Sequence, residues 1–235
     1  MNTDILGSAI WDYYDTDEFP ELWVLDTLGD PVEMDVSLYF RDIDEMPELE
    51  LKALASCKGR VLDIGAGAGS HAIALEMKGH KVTALDISPI CVKTMKARGA
   101  DDARVGDIFE FETEEKYDTL LLMMNGIGLC GTLERLGVFL DKAKSLLNTD
   151  GQLIFDSSDV IYLFEDGDVV KPTEHYYGEI ICAYEYKDSK TNFFKWLYID
   201  YFTLLTVAES KGWVVEKLYE DETGQYLCQL TMCRN

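Results

Sequence analysis

Arg60-Val61-Leu62-Asp63-Ile64-Gly65-Ala66-Gly67-Ala68-Gly69-Ser70-His71 decides the fold. A short apolar run stops at an acid, three glycines follow at alternate positions, and Ser70-His71 opens the helical run Ala72–Met77. Strand, glycine turn and helix form the layout that aims backbone N–H groups and a helix N-terminus at a ligand. Glycine suits the turn because the chain must take positive φ and admit a ligand without a Cβ in the way. The next apolar run, Val82–Leu85, ends at Asp86, 21 positions after Gly65. That separation places a carboxylate at the tip of a second strand, where it can bind both ribose hydroxyls of a nucleoside.

The dinucleotide pattern G-x-G-x-x-G requires glycine at position 70, and Ser70 stands there. Asp63, Gly65, Gly67 and Gly69 instead spell acid-x-G-x-G-x-G, which resembles the first motif of the class I S-adenosylmethionine-dependent methyltransferases. The resemblance implies an α/β, three-layer Rossmann-like fold. Its sheet has seven mostly parallel strands in the order 3-2-1-4-5-7-6, with strand 7 antiparallel. It also implies S-adenosyl-L-methionine as cofactor and S-adenosyl-L-homocysteine as product; no His/Asp/Glu cluster with metal-ligand spacing is visible in the sequence, so no metal is expected. By the same resemblance Asp63, Gly65, Ala66, Gly67, Gly69 and His71 line the cofactor, Asp86 holds its ribose, and Ile87 lies against its adenine. Asp107 and Ile108, after a short third strand at 103–106, fit the acid that meets the adenine amino group and its apolar neighbour.

Two other readings compete with a methyltransferase. An NAD-dependent oxidoreductase would share strand, turn and acid but not Ser70 or a helix–strand–strand ending. A non-catalytic S-adenosylmethionine-binding module would share the whole cofactor set and lack an acceptor pocket.

Composition narrows the acceptor. The chain has 235 residues, 47% hydrophobic and 28% charged, with a formal charge of −23. So acidic a surface repels phosphate backbones and anionic lipid, whose contacts are made by Lys and Arg. A small-molecule acceptor is therefore expected, with no nucleic acid and no membrane; the oligomeric state is left open. The six cysteines show no C-x-x-C or His spacing, which points away from zinc and toward a reducing compartment. With no basic n-region or long apolar stretch, a cytoplasmic protein is expected.

Residues 1–55 are expected to form an N-terminal helical cap segment ahead of a methyltransferase domain over 56–235. They are rich in aromatics and punctuated by Pro20, Gly29-Asp30-Pro31 and Pro47, with a helix over 48–55. Tyr39 and Arg41 stand where such a cap meets the cofactor in the resembled family. Arg41 has two readings, a bidentate pair with the cofactor's carboxylate or a local pair with Asp42, Asp44 or Glu45.

Further along, Ser88-Pro89 reads as a helix cap and Gly99 as that helix's end. Tyr117–Met124 is apolar on both faces, as a central parallel strand should be. It ends at Asn125, which reads equally as a turn residue with positive φ and as a group orienting the acceptor; by the resemblance Asn125 also counts among the cofactor-lining residues and, with His175, among the catalytic candidates. Leu133, Leu136, Leu140, Ala143, Leu146 and Leu147 share one helical face ended by 148–151, and the fifth strand follows at 152–156.

An insert over about 160–199 then intervenes. Asp166-Gly167-Asp168 reads as loop, and strands at 179–186 and 192–199 form an aromatic hairpin expected to cap the substrate. His175 in this insert is the base candidate. Tyr201, Leu204, Leu205 and Ala208 mark a last helix, and 213–219 and 225–233 the closing antiparallel strands.

Overall fold

The computed structural model describes residues 4–16, 19–165 and 169–233. The loop expected at Asp166-Gly167-Asp168 lies outside the described residues. In chain order the elements begin with α1 (Ile5–Thr16), β1 (Leu22–Asp26), β2 (Val32–Met34), α2 (Glu48–Ser56), β3 (Arg60–Ile64) and α3 (Ser70–Met77). There follow β4 (Lys81–Asp86), α4 (Pro89–Arg98), β5 (Ala103–Val105), β6 (Tyr117–Leu122), α5 (Leu133–Leu146) and β7 (Leu147–Ser158). The chain ends with β8 (Glu179–Tyr186), β9 (Ser189–Lys190), β10 (Phe194–Leu197), α6 (Tyr201–Ser210), β11 (Trp213–Glu220) and β12 (Gln225–Met232).

Seven strands make the main sheet in the order β11-β12-β7-β6-β3-β4-β5. Numbered from β3 as the first, this is the expected 3-2-1-4-5-7-6. β4 with β5 and β6 with β7 run parallel, and β12 runs antiparallel to both β7 and β11. A second sheet has the order β10-β8-β1-β2, with β9 paired to β8.

The chain falls into two compact units. The first comprises Met1–Met46, Asp63–Phe111 and Ile181–Phe194. Here the N-terminal segment is more than the helical cap expected of it. Beyond α1 it contributes two strands, with β1 antiparallel to β2 and to β8, so that Leu22 faces Tyr186 and Asp26 faces Cys182. One apolar cluster joins Ile5, Ala9 and Ile10 of α1 to Leu22, Val36, Ala68, Cys91 and Tyr186, all buried. Of the aromatics in residues 1–55, Tyr13, Tyr39 and Phe40 pack half-buried against this cluster, while Phe19 is exposed. The capping expected of α4 is present: Ser88 Oγ accepts the Cys91 N–H at 2.9 Å, Pro89 takes the first helical position, and Gly99 closes the helix at φ 98°.

The second unit comprises Pro47–Leu62, Glu112–Ile180 and Lys195–Asn235. The core face of α5 is buried through Leu136, Phe139, Leu140, Ala143 and Leu146. β7 begins earlier than expected, at Leu147, and the anticipated loop at 148–151 is a bulge in it. Tyr117 faces Leu147 while Thr119 faces Gln152, so the residues between Leu147 and Gln152 are looped out of register. The expected second strand of the insert shortens to β10, preceded by an exposed Phe193.

Candidate functional site

The glycine turn lies in the first unit. Gly65, Gly67 and Gly69 all have positive φ, at 73°, 57° and 86°, a conformation that costs other residues roughly 1–2 kcal/mol. The turn is bonded to its own scaffold. Gly65 and Ala66 N–H donate to Leu85 O at 2.8 and 3.2 Å, Gly67 N–H to Asp86 Oδ2 at 2.9 Å, and Gly69 N–H to Ala66 O at 2.8 Å. This corrects the expectation that the turn aims these N–H groups at a ligand. They shape the loop, and what the glycines offer instead is a surface without Cβ atoms. A Cβ on Gly65 would meet nothing within 4 Å.

Two carboxylates flank this surface. Asp63, at the end of β3, is 2% exposed, and its Oδ2 has no hydrogen-bond partner among the described residues. Burial lifts its pKa to about 6. The His71 charge and the Ala72 N–H act against that rise, while Asp86 adds to it. Asp86 ends β4, where Oδ1 accepts the Ser88 N–H at 2.8 Å and Oδ2 the Gly67 N–H. Burial raises this pKa to about 6 as well, against those two hydrogen bonds and with some help from Asp4. A carboxylate has about four lone-pair directions, so Asp86 keeps acceptor capacity for two hydroxyls. A buried, incompletely satisfied acid is costly unless something pairs with it. These two acceptors thus fit a nucleoside carrying a cationic group.

The remaining expected residues of this unit sit close by. His71 is buried in the first turn of α3, near enough to Asp63 to oppose its protonation. Gly106 N–H donates to Asp86 O at 2.9 Å, which brings the end of β5 beside that of β4. Asp107 follows, its Oδ1 fixed by the Phe109 N–H at 2.9 Å, and Ile108 is buried. Ile87 is 69% exposed, an apolar side chain standing in water. Tyr39 lies in a 3-10 helix over Val36–Phe40, its ring against Gly67 and its carbonyl accepting from Ser70 Oγ at 2.7 Å. Arg41 caps the same helix.

Asn125 belongs to the second unit. It and Met124 both have positive φ, at 54° and 59°, which bears out its reading as a turn residue. Consecutive left-handed residues other than glycine are strained and persist where surroundings over-determine them. The Asn125 N–H donates to Asp156 Oδ2 at 2.8 Å, its Nδ2 to Leu197 O at 3.3 Å, and its Oδ1 accepts from Ser157 Oγ at 3.0 Å. The carboxamide is thereby engaged in tying β6, β7 and β10 together.

His175 is exposed, with Nδ1 3.0 Å from the Tyr176 carbonyl. The organised polar groups are its neighbours, of which Asp200 carried no assignment from the sequence. Tyr177 Oη donates to Asp159 Oδ1 at 2.7 Å, and Tyr176 Oη to Asp200 Oδ2 at 2.8 Å. Asp200 also caps α6 through the Phe202 and Thr203 N–H groups, both at 3.0 Å. Burial opposes ionisation of Asp200, but these bonds and that from Tyr176 outweigh it and lower its pKa. Both phenols are pushed up, first by burial, so they serve as donors. The signal for Asp200 was available, since an acid just ahead of an apolar helical run is an N-cap pattern.

Among the described residues no cluster of three His, Cys, Asp or Glu side chains could hold a metal, and no helix is long and apolar enough to cross a membrane.

A family model described as a methyltransferase domain matches residues 61–151. The crystal structure of an S-adenosylmethionine-dependent methyltransferase from Bacteroides fragilis in complex with S-adenosyl-L-homocysteine is 42% identical in sequence. The match covers 99% of this chain and 96% of that one, with a TM-score of 0.92. Two more distant structures share the fold. An S-adenosylmethionine-dependent methyltransferase from Clostridium acetobutylicum has 12% identity, 81% and 94% coverage and a TM-score of 0.62. The CcbJ methyltransferase from Streptomyces caelestis has 14% identity, 83% and 98% coverage and a TM-score of 0.64. No curated protein matches the sequence.

Proposed function

Because the chain belongs to the S-adenosylmethionine-dependent methyltransferases, we propose that it methylates a small-molecule acceptor in the cytoplasm and does not act on nucleic acid. The donor is S-adenosyl-L-methionine and the product S-adenosyl-L-homocysteine, and the NAD-dependent alternative is set aside by the same relationship. The observation that carries the site assignment is the pair of buried carboxylates, Asp63 and Asp86, on either side of a glycine turn whose Gly65, Ala66, Gly67 and Gly69 N–H groups are bonded to its own scaffold.

When bound, the cofactor supplies a methyl group already activated on a sulfonium, so the chain's residues bind, align and exclude water. We assign Asp86 to the ribose hydroxyls, and Asp107, Ile108 and Ile87 to the adenine. Asp63, Gly65–Gly69 and His71 take the amino-acid end, with Tyr39 and Arg41 closing over it. Asn125 shapes the turn after β6. For the acceptor we favour Asp159 and Asp200, with Tyr177 and Tyr176 as their fixed donors, over the water-exposed His175. Residues 1–55 are taken as a cap, 56–235 as the catalytic domain, and about 160–199 as its substrate-facing insert.

The −23 charge supports the acceptor class, since a polyanionic substrate would be repelled. Methyl-labelled S-adenosyl-L-methionine, offered with amine, phenol and carboxylate small molecules beside transfer RNA and duplex DNA, tests this. Label in a small molecule is expected. Label in either nucleic acid would overturn the acceptor class, and cofactor binding without any transfer would favour a non-catalytic module.

A further inference from the structure

We propose that Arg98 is a positioning residue for the cofactor site, acting through Tyr39. The inference rests on the reading that the cofactor lies against the glycine turn.

Arg98 is the last residue of α4, where a basic side chain ordinarily turns to its own helix's final carbonyls and to water. Here the guanidinium reaches elsewhere. Nη1 donates to Ala68 O at 2.8 Å, to Ser70 Oγ at 3.1 Å and to Tyr39 O at 3.4 Å, while Nη2 donates to Phe40 O at 3.1 Å. Its carbon lies 4.9 Å from the centre of the Phe40 ring. One planar fork thus joins the glycine turn, the first residue of α3, and the last two residues of the 3-10 helix over Val36–Phe40. Five donors in fixed geometry can do this, and a lysine ammonium on a flexible stem cannot.

The consequence falls on Tyr39. Its carbonyl is held by Ser70 and Arg98 together, its hydroxyl donates to Met34 Sδ at 3.5 Å, and its ring is set on Gly67. α4 also holds residues at both ends of α1. At its start Ser88 Oγ donates to Asp4 Oδ2, and near its end Ala97 O accepts from Tyr14 Oη at 3.0 Å. Arg98 is the contact of this set that also grips the turn, so it couples the docking of Tyr39 to the shape of the loop.

The test is calorimetric titration of the full chain with S-adenosyl-L-homocysteine. Arg98→Ala is expected to weaken binding about tenfold or more, roughly 1.4 kcal/mol per tenfold. Arg98→Lys should stay weak although it keeps the charge, and millimolar guanidinium chloride should restore much of the affinity of Arg98→Ala. In a Tyr39→Ala background the Arg98→Ala loss should shrink to less than about twofold, because the residue through which it acts is gone. Wild-type affinity in Arg98→Ala, or an equal loss with and without the Tyr39 ring, would overturn the proposal. If Arg98→Ala does not fold, Arg98→Lys is compared in both backgrounds, and wild-type affinity or an equal loss would again overturn it. Failure of the wild-type chain itself to bind would instead remove the cofactor reading and this inference with it.

Discussion

The ring of Tyr39 lies against Gly67 so closely that a Cβ on the glycine would stand 2.9 Å from the ring's Cδ1 and 3.3 Å from its Cε1. At Gly65 the same added atom would meet nothing within 4 Å. Two glycines of one turn are therefore required for different reasons.

Gly65→Ala and Gly67→Ala separate those reasons. Both carry the strain of a left-handed backbone, roughly 1–2 kcal/mol, but only Gly67→Ala must also displace an aromatic ring. Thermal unfolding should rank Gly67→Ala as the less stable of the two. Gly65→Ala should lose S-adenosyl-L-homocysteine affinity by calorimetry despite its better stability, because its methyl group enters the space a ligand would use. Equal stability, with cofactor binding retained in Gly65→Ala, would count against this division.

Asp86→Ala removes a support of the turn together with the acceptor proposed for the ribose hydroxyls. Charge-assisted hydrogen bonds contribute about 1.5–3 kcal/mol each, so affinity should fall by tens- to hundreds-fold at about 1.4 kcal/mol per tenfold. An unchanged dissociation constant would take Asp86 out of the site.

The pH dependence of stability and of binding should run in opposite directions. Asp63 and Asp86 titrate at about 6 in the folded chain against an ordinary 3.8. Between those values the folded state holds more protons than the unfolded one, so these two acids favour folding increasingly as pH falls through 6, levelling off below 3.8. A two-unit shift corresponds to about 3 kcal/mol for each group. The ligand-free chain should therefore melt higher at about pH 5.5 than at about pH 7.5. S-adenosyl-L-homocysteine should bind more weakly at the lower pH, because a neutral acid loses its charge-assisted hydrogen bonds. Melting points and affinities that fall together on acidification would contradict the assignment of these pKa values.

In the second unit, Asn125→Gly and Asn125→Ala divide the backbone from the side chain. Both lose the bonds to Ser157 Oγ and Leu197 O, and glycine alone takes φ 54° without strain. Chemical denaturation should show both variants destabilised by about 1–3 kcal/mol for the buried groups left unpaired. Alanine should be worse by roughly 1 kcal/mol or more. Asn125→Gly as stable as wild type would mean that the carboxamide bonds add nothing.

How much of this was legible beforehand depended on whether the information was local. Asp63, the three glycines and Asp86 could be read because a strand end, a turn and a second strand end each carry their own residue signature. Ser88, Pro89 and Gly99 marked the bounds of α4 for the same reason. Arg98 could not be read. Its partners are mostly main-chain carbonyls, which every residue possesses, brought from segments as much as 59 positions away. The bonding of the turn's N–H groups to Leu85 O and Asp86 was hidden in the same way. Leu22–Asp26 is too short to declare itself as a strand while its partner lies in the insert.

That last pairing bears on how the protein is made. Leu22 is opposite Tyr186, so a ribosome must add about 160 residues after β1 before its long partner exists. At typical elongation rates of about 5–20 residues per second this is a wait of roughly 10–30 s. During translation one edge of the nascent β1–β2 ribbon therefore stays open to any other extended chain. The pairing that starts at Leu22 can close only after Tyr186 has been made.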